Sequence, residues 1–108
     1  MIRKFKPFEA EAIRKEFLSI SGEDAYHLKY AMESYQEDYR IGYTVKNYGD
    51  GLMMVKDSGR SQGRCLFFFS EIVDGIEILT VVLIYKKETQ EAPKHIIETA
   101  RKRMEESK

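Results

Sequence analysis

The sequence predicts a single α+β domain: an N-terminal helical hairpin, an antiparallel sheet of three to four strands, and a C-terminal helix. Three observations carry this expectation. Apolar residues step at helical spacing through the first third of the chain. Short apolar runs cut by glycine-containing turns fill the middle, and the last run gives way to a cationic amphipathic segment entered through Pro93. A chain of 108 residues has room for one core, so the domain spans 1–108.

The first helix is expected over residues 8–19. Phe5, Phe8, Ala12, Ile13, Phe17 and Ile20 make one apolar stripe, and Pro7 suits a first helical turn, where a missing N–H costs nothing. Ser21 and Gly22 break the chain, and Ser21 is placed to cap a second helix with Asp24 three residues on. In that helix Ala25, Leu28, Met32, Tyr35 and Tyr39 recur at helical period, and so short a break predicts that the two helices pack as an antiparallel hairpin. Tyr26, Tyr30, Tyr35 and Tyr39 are read as core and flank in preference to a base-stacking ladder, and His27, off the apolar stripe, as a surface histidine.

From residue 41 the pattern becomes that of strands. Residues 41–47 and 52–57 flank a glycine turn, and a polar loop, 58–63, precedes two nearly continuous apolar runs at 64–70 and 76–85. Asp74-Gly75 between these runs favours a tight hairpin. Apolar runs without alternation imply strands covered on both faces, and the two helices supply one cover. The last helix is expected from about Pro93 to Glu106, with Ile96, Ile97, Ala100 and Met104 buried.

Composition narrows the function classes. Eighteen basic and eighteen acidic residues leave no net charge, which argues against indiscriminate polyanion binding but leaves room for a local basic face. The single cysteine, Cys65, permits no internal disulfide and reads as a core thiol of an intracellular protein. No cofactor is expected, since neither GxxxxGK nor GxGxxG occurs, and no metal, since Cys65, His27 and His95 have no ligand spacing. The N-terminus carries no apolar run of signal-peptide length, and the longest apolar run, residues 78–85, is too short to cross a bilayer. A soluble, cytoplasmic protein with no membrane partner is therefore expected.

What remains is a cationic set at strand ends: Lys56, Arg64, Lys86 and Lys87, with Lys94 and His95 at the entrance of the last helix. Antiparallel strands bring such ends together. Fixed cations stabilise the charge that builds on a phosphodiester during displacement, while a group titrating near neutrality moves the proton. His95 has the right intrinsic range for that task. On the residues alone the reading as a solvated histidine among surface lysines is the preferred one.

Residues 51–56 (GLMMVK), 63–69 (GRCLFFF) and 85–103 (YKKETQEAPKHIIETARKR) resemble the RelE/ParE superfamily of bacterial toxins, most closely its HigB-like, phage-derived branch. In that branch a GLxELR-like segment, a YRVFYFF-like strand and an FxKKTQKTPKxEIxxAxxR segment follow one another. The resemblance covers residues 49–106 and is strongest at the end. It implies a microbial RNase-like fold and ribosome-dependent, metal-independent mRNA cleavage, with 2′-hydroxyl attack leaving a cyclic phosphate. It also implies neutralisation by a cognate antitoxin, expected as a small helix-turn-helix protein. Carried over by position, Arg64 and Lys87 enter the expected catalytic set, while Lys56, Lys86 and Lys94 hold RNA phosphates; His95 joins the catalytic set from the reading of the residues themselves. This chain has Met54 for the glutamate and Lys56 for the arginine of ELR, Glu88 beside the lysine pair, and Ala92 where a capping threonine is common. Two other functions stay open: a ParE-like toxin that binds gyrase, and a non-catalytic interaction module on the same fold.

Overall fold

The computed structural model describes residues 2–88 and 93–108. The elements run β1 (Ile2–Pro7), α1 (Ala10–Ser19), α2 (Gly22–Gln36), β2 (Tyr43–Gly49), β3 (Leu52–Asp57), β4 (Gly63–Val73), β5 (Ile76–Lys86) and α3 (Lys94–Glu106). Five strands make one mixed sheet in the order β1-β5-β4-β3-β2, with β1 parallel to β5 and the other neighbours antiparallel.

This corrects the expected layout of a helix-first chain on an antiparallel sheet of three to four strands. The chain opens on a strand because Phe5 belongs to a period of two: Arg3 and Phe5 turn inward while Lys4 and Lys6 stay exposed. Phe5 meets Phe67 edge-on at 5.2 Å, and Arg3 stacks on Tyr35 at 4.5 Å and donates to its carbonyl at 3.1 Å. Pro7 ends β1, at the sheet edge where a residue without N–H is tolerated. It therefore lies outside the helix, and Glu9 caps α1 by accepting from the backbone N–H groups of Glu11 and Ala12.

The helical hairpin is also corrected. Each helix lies chiefly on the sheet, α1 over β5 and α2 over β3, and a groove of about 470 Å³ runs between them. Ser21 caps α2, accepting from the Asp24 N–H at 3.2 Å. On the opposite side α3 packs its Ala100 and Met104 against Leu52, Leu66, Val82 and Leu83. The sheet is thus covered on both faces, and this explains the continuous apolar runs of β4 and β5. Among the described residues no helix is long and apolar enough to cross a membrane.

One irregularity sets the phase of β5. Leu66 faces Leu83 while Phe67 faces Val81, so Val82 is an extra residue, a β-bulge. Before the bulge Ile78 and Thr80 share the α3 face with Phe68; after it Leu83 and Tyr85 do. A bulge reverses which side chains point which way, and everything downstream on β5 inherits that reversal.

A second device closes the edge of β5. The β1 pairing ends at Val81. Beyond it Glu16 of α1 accepts from the Ile84 N–H at 2.9 Å, Arg103 of α3 donates to the Val82 carbonyl at 2.9 Å, and the two side chains meet at 2.7 Å. An unpaired strand edge is thereby satisfied by one acid and one base from opposite layers. Glu16→Ala should lower unfolding free energy by about 2 kcal/mol, because it strands a backbone donor and a partly buried guanidinium; urea denaturation measures this.

Cys65 is fully buried on the α1/α2 face, and burial pushes its thiol far above the ordinary range. The thiolate is the reactive form. Cys65 should resist iodoacetamide in the native protein and label only as the chain unfolds, which mass spectrometry across a urea series would show.

Candidate anion-binding site

Strand register assembles the site. Lys46 of β2 faces Met54 of β3, Met54 faces Leu66 of β4, and Arg64 of β4 faces Tyr85 of β5. Alternation then brings Lys46, Tyr48, Met54, Lys56, Arg64, Tyr85 and Lys87 around one cleft of about 160 Å³. It lies on the face of the sheet that carries α3, where Tyr85 also joins the α3 core. The groove between α1 and α2 is larger but mainly apolar, lined by residues such as Phe5, Ile13, Phe17 and Met32, and gathers no like charges of this kind.

Arg64 is the buried centre. It is 6% exposed and donates Nη1 to the Ser61 carbonyl at 2.8 Å and to the Gly63 carbonyl at 3.0 Å. Burial lowers its pKa, while Tyr85, Tyr48, Asp24 and Asp57 act in the opposite sense; an arginine so placed remains a cation. Lys56 is held below the ordinary lysine range by burial first, then by Arg64 and Lys87, and its Nζ reaches the Asp57 carbonyl at 3.5 Å. Burial, followed by the neighbouring Tyr48, drives the Tyr85 hydroxyl well above the usual phenol range, so it stays a proton donor.

Two supports fix the rim. Lys46 lies over the Tyr48 ring at 4.9 Å. Arg101 of α3 donates to the Tyr48 carbonyl at 2.8 Å and to the Gly49 carbonyl at 3.3 Å, tying the β2–β3 turn to the helix. Among the described residues none of Lys46, Lys56, Arg64 and Lys87 takes part in an ion pair. Four cations converging without a paired carboxylate form a site for an anion.

Of the residues expected from sequence, Lys56, Arg64 and Lys87 come together and three others do not. Lys86 is exposed beside Asp24, on the α2 side of the sheet, because adjacent strand residues point to opposite faces. Lys94 is 91% exposed and pairs with Glu98 at 3.8 Å. His95 is exposed in the first turn of α3 and does not line the cleft. Pro93 is the cap of α3 and not its first residue. Residues 89–92, with the TQEA part of the resemblance and Ala92, lie outside the described residues. Among the described residues no three His, Cys, Asp or Glu side chains group as a metal site.

Lys46, Tyr48, Met54 and Tyr85 complete the cleft without having been expected. Their signal is alternation: Lys46 and Tyr48 share a face on β2, Met54 and Lys56 on β3, and Tyr85 on β5 with Lys87 just beyond its end. The chain matches no family model, and no curated protein matches it.

Because an anion is held best by protonated Lys56, and Lys56 loses its proton earlier than an ordinary lysine, affinity for a short oligouridylate should fall as pH rises through that lowered range. Lys56→Arg, which stays charged, should flatten the profile. Fluorescence anisotropy from neutral to alkaline pH checks both.

Proposed function

We propose that this chain is a RelE/HigB-type toxin domain that cuts mRNA on the ribosome, acting in the cytoplasm and held in check by a small antitoxin. The observation that supports this most is the convergence of Lys56 of β3, Arg64 of β4 and Lys87 just past β5, three positions of the resemblance, on one cleft with Lys46 and Tyr85. A phosphodiester is the anion that such a cleft suits, because bound cations are worth most where charge grows during reaction.

The chemistry follows from the side chains. Lys56 takes the proton of the ribose 2′-hydroxyl only in its neutral form, which its lowered pKa makes more accessible than for an ordinary lysine. In its protonated form it helps hold the phosphate. The 2′-oxygen bonds to phosphorus, the bond to the 5′-oxygen breaks, and the products are a 2′,3′-cyclic phosphate and a 5′-hydroxyl. Arg64 stabilises the equatorial oxygens, Tyr85 donates a hydrogen bond to one of them, and the Lys87 ammonium supplies the proton that the leaving oxygen needs. His95 has no part in this scheme, since it stands outside the cleft.

Induced expression should stop growth and leave cut transcripts in primer extension. Arg64→Ala should reduce cutting by about a hundredfold or more. Growth arrest with intact transcripts and a DNA-damage response would point instead to a gyrase-binding toxin. RNA binding without cutting would identify a non-catalytic module.

A further inference from the structure

Arg64 and Lys87 are held through a single carboxylate on the far side of the sheet. Asp24, in the first turn of α2, accepts from the Ser61 hydroxyl at 3.2 Å and from the Gln62 N–H at 3.0 Å. The carbonyls of those same two residues bond residues of the site: Ser61 O accepts from the Arg64 guanidinium at 2.8 Å, and Gln62 O accepts from the Lys87 backbone N–H at 2.8 Å. Packing enforces the link. A Cβ on Gly63 would come within 3.1 Å of the Asp24 carbonyl and of the Leu28 side chain, so a larger residue would push the loop a few tenths of an ångström away from α2.

We propose that Asp24 is the positioning residue of the anion site, fixing the guanidinium of Arg64 and the backbone of Lys87 by ordering Ser61 and Gln62. The proposal rests on the RNA-binding reading of the cleft for its functional consequence, and on the hydrogen-bond chain for its structural one. Without the carboxylate, Gln62 loses its described anchor on α2 and Ser61 keeps only the longer bond from its hydroxyl to the Asp24 main-chain carbonyl at 3.5 Å. The carbonyls that hold the Arg64 guanidinium and the Lys87 backbone are then less firmly placed. Asn keeps one acceptor oxygen at the same point and Ala keeps none.

The test combines two variants with two measurements. Asp24→Ala should weaken oligouridylate binding about tenfold, while Asp24→Asn stays within about threefold of the parent. In an Arg64→Ala background Asp24→Ala should lose much less, because the group it aims is gone. Amide hydrogen exchange on the same proteins should show Gln62 and Lys87 losing protection in Asp24→Ala, with a cooperative urea transition retained. Equal losses in both backgrounds, or unchanged protection at Gln62 and Lys87, would overturn the proposal. If the parent fails to bind oligouridylate, the RNA reading fails, and the exchange data alone decide whether Asp24 orders the loop.

Discussion

The phase of alternation along β5 is the constraint on which this structure depends. A regular strand running through Ile78, Thr80 and Val82 on the α3 face would continue with Ile84 and Lys86, leaving Tyr85 and Lys87 under α1 and α2. The extra residue at Val82 reverses this. It places Ile84 in the core beneath the two helices and delivers Tyr85 and Lys87 to the cleft. One inserted residue thus satisfies two demands that a regular strand sets against each other, an apolar floor for α1 and a polar, cationic end for the opposite face.

Gathering like charges works against the fold. Arg64 and Lys56 are both penalised by burial, and Lys56 further by its cationic neighbours. The structure meets this with backbone acceptors: carbonyls of Ser61, Gly63 and Asp57 take the donors that no carboxylate takes. Dipoles steady the cations without neutralising them, so their charge remains available to a ligand. Where charges serve only stability, as at Glu16 and Arg103, acid and base meet directly. The contrast between these arrangements within one sheet is what sets the cleft apart from the ion pairs elsewhere in the fold.

Individual elements were legible in the sequence because long periodic runs and turn dipeptides report them, whereas the layout, a five-stranded mixed sheet that opens on a strand, was not. The α2 cap at Ser21 and the hairpin turn at Asp74 and Gly75, where both φ angles are positive, belong to that class. The first strand was not legible: it turns one apolar side chain inward, and the next aromatic, Phe8, falls at a spacing that imitates a helix. The glutamate cap of α1 hid the boundary further, since capping usually falls to shorter side chains. Of the site, the three strand-end cations were visible as charges beside apolar runs. Which of two adjacent lysines enters the cleft depends on a bulge that no local signal announces.

The Glu16–Arg103 contact joins residues 87 positions apart, and the strand it secures also pairs with β1 at the other end of the sequence. Closing so long a loop costs entropy that local contacts do not return early, so these pairings are expected to follow the hairpins that join β2 to β5. The cleft itself is lined by residues within 46–87, which consecutive antiparallel strands bring together through short connections. What the two ends of the chain add is the clamp on the free edge of β5 and not the gathering of the charges.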